Sequence, residues 1–327
     1  MGKKGWKNVV VIGGGTGTFT VLSALKKYPL NLTAIVSMAD DGFSTGILRD
    51  ELGVLPPGDV RQCLVALSSS DMLMRQLMSY RFEKGALKGH SFGNLLLSAL
   101  EKITGSFDSA VEKTAEILRI RGRVIPVTLD KVTLMAQVGK RIIRGENNIQ
   151  QTNLNGSLKR IWLKPGGHAN PKALAALRSA DAIIIGPGNL YASLVPDLLV
   201  RGISKAVHKS RAKKIFICNL MTKAEHTHDF TVADYAAEIE KYLGSKIDAV
   251  IYNNKLPEKA LLKKYAREGE TPTRWDILPE GRKLVGANLI SHRLSPRQKG
   301  DIWNRSLVRH EPSRLATVIL RVLGIKK

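Results

Sequence analysis

A doubly wound, mostly parallel Rossmann-like α/β sheet, with helices on both faces and a small antiparallel β insertion, is the fold the sequence predicts. Two features point to it. Short runs of consecutive β-branched and aliphatic residues recur at 8–12 (NVVVI), 32–37 (LTAIVS), 181–186 (DAIIIG), 214–219 (KIFICN) and 248–253 (DAVIYN). Such runs suit strands covered on both faces, the condition of a parallel sheet. Between them lie stretches with apolar residues at helical spacing, so strands and helices alternate.

The first strand, 8–12, ends in glycines. A helix is predicted over 18–28, where Val21, Leu22 and Leu25 share a face. With the strand at 32–37 this completes a βαβ unit. Helices at 47–52, 59–67, 72–80, 92–103 and 109–118 make residues 46–120 mostly helical. Over roughly 121–165 the pattern changes. Segments 124–129, 131–138, 140–144 and 157–163 read as short strands with polar turns, an antiparallel insertion within one domain spanning 1–327. Helices at 171–179 and 233–242 accompany the later strands, and 312–323 reads as a terminal amphipathic helix. Residues 255–298 show no clear period. No repeat or low-complexity tract interrupts the chain.

The 327 residues are 43% hydrophobic and 24% charged, enough for a packed core and unlike a disordered chain. No run approaches the roughly 20 apolar residues of a membrane helix. The basic start at 1–7 is followed by too short an apolar run for a signal peptide, so the expected location is cytoplasmic. Cys63 and Cys218 lack metal or redox spacing and read as buried reduced thiols.

Lys and Arg number 51 against 28 Asp and Glu, a net charge of +23. That balance favours anionic partners. The basic residues are nevertheless dispersed, with clusters at 3–7, 201–214, 255–267 and 282–299. No aromatic interleaving, helix-turn-helix, zinc finger or RNP pattern accompanies them. Solvated surface, or steering of a phosphorylated ligand, fits better than nucleic acid or membrane.

Five turns carry candidate chemistry. Gly13-Gly14-Gly15-Thr16-Gly17, with Thr18, joins a strand to a helix. Glycines admit close backbone approach, and the helix start offers free N–H donors to a phosphate. The turn fails the strict dinucleotide pattern, because Thr18 stands at the third glycine position, and it lacks the Walker lysine. A tight packing turn is the alternative. Asp40 and Asp41 follow the second strand, where open sheets bind ligands. Close carboxylates suit a shared Mg²⁺ or a sugar hydroxyl. Because successive residues point apart, one of them can cap a helix instead; Ser44 is a ligand or cap candidate.

Pro56-Pro57-Gly58-Asp59-Val60-Arg61 follows. Asp59 either caps its helix or joins Asp41 around a metal, and Arg61 has the planar fork that suits phosphate. His90, four residues before Asn94 at a helix start, serves either an anion or the local structure. Gly186-Pro187-Gly188-Asn189-Leu190-Tyr191 is a second glycine turn on the same sheet edge, and Asn219 leaves the next strand there. His226-Thr227-His228-Asp229 reads as solvated loop, since nothing near it completes a metal set.

In this order the motifs GGGTG (13–17), ADDG with Ser44 and Gly46 (39–46), PPGDVR (56–61), GHSFGNL (89–95), RGRVIP (121–126), GPGNLY (186–191) and CNLMT (218–222), with Val308-Arg309-His310, resemble the YvcK/CofD-like family. The resemblance covers nearly the whole chain. CofD-type members transfer a phospholactyl-type group from a nucleotide diphosphate to a deazaflavin with Mg²⁺. YvcK-type members bind UDP-sugars and are linked to gluconeogenic growth, cell shape and cell-wall precursors. RGRVIPVT, GPGNLY and CNLMT look closer to the YvcK branch. The resemblance implies a UDP-sugar ligand ahead of NAD or GDP, with the first glycine turn on the phosphates. Asn189 and Tyr191 would line the nucleotide pocket, and Asp41 and Asp59 would hold any Mg²⁺. Protein partners and a homo-oligomer are compatible with it. Phe43 stands where glycine is usual, Asn189 replaces a usual serine, and KAEHTHDF (223–230) departs from a more glycine-containing version.

Overall fold

A computed structural model describes residues 5–291 and 308–325. The rest of the basic cluster at 282–299, and the first four residues, lie outside the described residues.

The strands are β1 (Lys7–Ile12), β2 (Leu30–Val36), β3 (Arg123–Pro126), β4 (Thr133–Val138), β5 (Arg141–Arg144), β6 (Leu158–Lys164), β7 (Ala182–Ile185), β8 (Lys213–Ile217), β9 (Ala249–Asn253) and β10 (Lys283–Ala287). Seven of them form one sheet in the order β10-β9-β8-β7-β1-β2-β3. Every pairing in it is parallel. β5-β4-β6 form a separate antiparallel sheet.

The main sheet forms because its central strands are apolar on both faces. Val9 to Ile12 and Ala182 to Ile185 are all buried. Each such Val or Ile contributes about 1.5–3 kcal/mol relative to exposure. The chain winds from β1 outward to β3, then returns to β7 beside β1 and winds the other way. The switch point therefore lies between β1 and β7.

The helices are α1 (Gly15–Leu25), α2 (Phe43–Leu52), α3 (Gly58–Leu67), α4 (Met72–Ser79), α5 (Phe92–Thr104), α6 (Phe107–Ile117), α7 (Glu146–Gln150), α8 (Pro171–Arg178), α9 (Val195–Leu199), α10 (Ile203–Lys209), α11 (Val232–Leu243), α12 (Lys259–Arg267) and α13 (Pro312–Leu323). α1 packs with α3 and α13, and α10 packs with α8, α9 and α11. The local signals are explicit where the sequence reading succeeds. α11 begins with a Thr231–Asp234 capping box, and α13 begins with Pro312 and ends before Gly324 in the left-handed region.

Three readings change. RVIP, expected in the antiparallel insertion, pairs parallel with β2 as the outer strand of the main sheet. Its Pro126 is tolerated there because an outer strand has one unpaired edge. The antiparallel sheet accordingly begins at Thr133. Within 255–298 lie α12, a mostly polar helix that buries only Tyr265, and β10, which buries only Val285. After β7 the sequence reading missed a π-helical turn, Leu190–Leu194, and α9 and α10 behind it. Pro187, Gly188, Pro196 and Gly202 break the period there.

Both cysteines are free and buried, and burial raises both thiol pKa values. No helix among the described residues is long and apolar enough to cross a membrane.

Candidate functional site

A cavity of about 430 Å³ opens at the carboxyl ends of the strands around the switch point. That volume suits a nucleotide-sized ligand. Gly14 to Gly17 line it after β1, Asp40 and Gly42 to Thr45 after β2, Pro187 to Leu190 after β7, and Asn219 to Lys223 after β8. Gly58, Asp59 and Arg61 of α3 complete that wall.

Three helix N-termini meet here without side-chain caps. α1 starts from Gly14, α2 from Gly42 and α3 from Pro57, and none of these residues supplies a side-chain cap, although Asp40 Oδ1 accepts the Gly42 N–H at 3.0 Å. α1 and α2 also carry no acid in the first turn. Each end offers N–H donors and the positive end of a helix dipole. Glycine makes the approach possible. A Cβ on Gly14 would lie 1.9 Å from Asp59 Oδ2, and one on Gly17 would lie 2.0 Å from the Pro187 carbonyl oxygen.

A buried polar relay stiffens one wall. Arg61 Nε donates to Asn94 Oδ1 at 2.9 Å, and Arg61 Nη1 to the Met78 carbonyl at 3.3 Å. Asn94 Nδ2 donates to Ser44 Oγ at 3.3 Å, and Ser44 Oγ lies 3.0 Å from His90 Nδ1. Arg61, Asn94 and Ser44 line the cavity, whereas His90 stands behind them as a support.

Carboxyl groups gather on another wall. Asp40, Asp59 and Glu146 all line the cavity. Burial raises the Asp40 pKa, with the Asp41 charge adding to it against bonds from Gly42 and Thr45. Burial, then Asp40, pushes Glu146 well above the usual carboxylate range. Asp197 on α9 lies deeper, fully buried, with neither carboxylate oxygen hydrogen-bonded. Burial and then Asp59 hold it well above the usual range, with the Ser37 hydroxyl opposing.

Several expected site residues lie elsewhere. Asp41 turns away from the cavity and accepts the backbone N–H groups of Glu146 at 3.1 Å and Asn147 at 2.9 Å. It thereby caps the short α7, and of the two adjacent acids it is Asp40 that lines the cavity, as expected if successive residues point apart. Tyr191 is buried, and its hydroxyl donates to Glu238 at 3.0 Å instead of facing a ligand. Gly13 and Thr18 sit beneath the turn; a Cβ on Gly13 would lie 2.8 Å from Thr18 Oγ1.

Other lining residues escaped the sequence reading: Arg81, Gln150, Lys223, Lys264 and Glu270. Gln150 belongs to the insertion, Lys264 and Glu270 to the basic stretch without a period, and Arg81 and Lys223 to the loops after α4 and β8. Arg309, signalled by the Val-Arg-His motif, lines the cavity too. Burial raises the Glu270 pKa to about 7. His226 corrects the solvated-loop reading: it is buried and lines the cavity, while His228 is exposed. Buried Thr227 and its bond from Tyr235 hold this loop inward. Phe43 lines the mouth with φ at 44°, a left-handed conformation that glycine adopts freely. Its departure from the usual glycine therefore carries a backbone cost.

A family model described as 2-phospho-L-lactate transferase CofD matches residues 9–294. A Nostoc relative is 43% identical over 97% of this chain and 68% of its own length. The gluconeogenesis factor of Bacillus subtilis is 37% identical, covering 99% of this chain and 99% of its own. A UPF0052-family crystal structure from Bacillus halodurans superposes with a TM-score of 0.88 at 36% identity, over 97% of this chain and 100% of that one. The matched span includes every glycine and acid turn described above, and the chain belongs to the CofD family, on the branch that holds the gluconeogenesis factors.

Proposed function

We propose that this chain is a nucleotide-sugar-binding regulatory protein of the YvcK type, taking a UDP-sugar and serving gluconeogenic growth, cell shape and cell-wall precursor supply. One observation carries the reading. Three helix N-termini without side-chain caps of their own share a cavity also lined by the uncharged polar residues Asn189, Asn219 and Thr222, of which Asn219 pairs with the Gly188 backbone and Thr222 with Thr271. The first feature suits a diphosphate and the second a base or sugar. The dispersed positive surface adds attraction for an anionic ligand.

A transferase of the CofD type is the second reading, supported by the carboxyl wall. Among the described residues no three His, Cys, Asp or Glu side chains are arranged to hold a metal ion. Mg²⁺ nevertheless needs only one or two carboxylates when diphosphate oxygens supply the rest. Asp40 and Asp59 fit that requirement, and Asp41, engaged with α7, does not. Bound there, Mg²⁺ would neutralise diphosphate charge.

A thermal-shift and calorimetry panel separates the readings, using UDP-N-acetylglucosamine, UDP-glucose, NAD, GDP and GTP with and without Mg²⁺. At ~100-fold Kd a ligand specific to the native state adds roughly 2.7 kcal/mol. The expected result is a UDP-sugar-selective shift that needs no metal. A Mg²⁺-dependent guanine-nucleotide shift would move the assignment to the transferase, and no response to any UDP-sugar would retire the sensor.

A further inference from the structure

Among the buried polar atoms without a partner, His226 Nδ1 is the one whose surroundings identify what it waits for. His226 lines the cavity and is 3% exposed. Nε2 lies 2.9 Å from the Ile149 carbonyl oxygen. A carbonyl only accepts, so Nε2 carries the hydrogen. In the neutral ring Nδ1 is then a lone-pair acceptor. That Nδ1 is buried and has no hydrogen-bond partner. Native proteins rarely leave such an atom unpaired, and a bound partner is one of the accepted explanations.

The ring is held in place before any ligand arrives. Tyr191 meets it edge-to-face at 6.1 Å between centroids, and Tyr191 is itself tied to Glu238. The backbone turn carrying it is closed by His226 N to Lys223 O at 3.0 Å and Lys223 N to Thr227 Oγ1 at 2.9 Å. Burial keeps the histidine pKa below its usual value, with Lys223 adding to this against the opposing Ile149 and Thr152 carbonyls. The acceptor is thus both fixed in direction and uncharged.

Resting on the nucleotide-sugar reading, we infer that His226 Nδ1 is a recognition acceptor for one N–H or O–H donor on the uncharged part of the ligand. It has no use for a phosphate, which offers only acceptors at neutral pH. The donor comes from either the base imide or the sugar amide and hydroxyls. Thr222, on the loop leading to His226, is uncharged and lines the cavity as well.

Two substitutions separate recognition from packing. In His226→Gln the amide nitrogen replaces Nε2, keeping the Ile149 bond and removing the acceptor. In His226→Asn the amide replaces Nδ1, keeping an acceptor and dropping the Ile149 bond. Calorimetry with UDP-N-acetylglucosamine is expected to show about a tenfold weaker Kd for His226→Gln, the worth of one hydrogen bond, with the ligand-free melting temperature held. His226→Asn is expected to bind within a fewfold of wild type while melting earlier. Equal binding by wild type and His226→Gln overturns the inference.

The ¹⁵N resonance of His226 Nδ1 gives an independent readout. It is expected to move on adding UDP-N-acetylglucosamine. Movement with UDP alone assigns the donor to the base, and movement with N-acetylglucosamine 1-phosphate assigns it to the sugar. If calorimetry shows no UDP-sugar binding, the proposed function falls. The resonance is then followed with NAD and GDP, and a signal unmoved by every probe overturns the acceptor role.

Discussion

Gly17→Ala is expected to melt well below the wild type and to lose the stabilisation a nucleotide brings. Position 17 lies inside α1 and has an ordinary helical backbone. On propensity alone alanine would therefore add about 1 kcal/mol of stability there. Its Cβ, however, would lie 2.0 Å from the Pro187 carbonyl oxygen and 2.7 Å from the carbonyl carbon. The Cβ is fixed by its own backbone and meets backbone atoms of Pro187, so no rotamer change relieves it. Overpacking of this kind costs about 1–3 kcal/mol or more. In a domain this large each kcal/mol moves the melting point by roughly 2–4 °C. Relief requires the two glycine turns to separate, which widens the phosphate end of the cavity. Gly105→Ala is the control, since that glycine has a left-handed backbone and nothing within 4 Å. It should lose only the roughly 1–2 kcal/mol of that conformation and keep ligand binding. A Gly17→Ala protein as stable as wild type would mean the two turns do not touch.

Asp197→Asn is expected to stabilise the protein, and to do so increasingly as pH rises. The carboxyl is buried without a hydrogen bond, and its folded pKa lies well above its unfolded value. Between those two values the folded state holds a proton that the unfolded state has released. Stability then falls as pH rises, beginning near the unfolded carboxylate value of about 3.9. Asparagine has no proton to lose and can donate toward Ser37. The gain should be smallest near pH 4 and grow by about 1.4 kcal/mol per pH unit above it until the folded carboxyl itself ionises. Urea unfolding of both proteins at pH 4, 6 and 8 checks this, and a difference that does not change with pH would refute it.

The sequence showed the fold through its strands because burial on both faces leaves unbroken apolar runs, as in β1 and β7. It showed the phosphate end of the site because glycine turns are local: Gly14, Gly15, Thr16, Gly17, Gly188 and Asn189 all line the cavity. It misread side chains whose direction depends on distant elements. Asp41 faces α7, more than a hundred residues away, and nothing near it in the chain reveals that N–H pair. Tyr191 sits in a glycine turn yet points at α11. His226 looked like a polar loop residue because the carbonyl that orders it belongs to the insertion. The outermost strand β10 was hidden for another reason: it has one well-buried residue and so no period to read.

The attachment of α7 and the segment behind it bears on how rigid the cavity wall is. On one side Asp41 fastens the start of α7, and Gly145 leaves room, since a Cβ there would lie 2.4 Å from the Asp41 carboxylate. On the other side Leu154 N bonds Glu225 O at 2.6 Å, and His226 holds Ile149. A segment fastened at both ends stays a fixed part of the cavity wall, to which it contributes Glu146 and Gln150. The amides of Glu146 and Asn147 should exchange with deuterium slowly, and more slowly still when the cavity is filled.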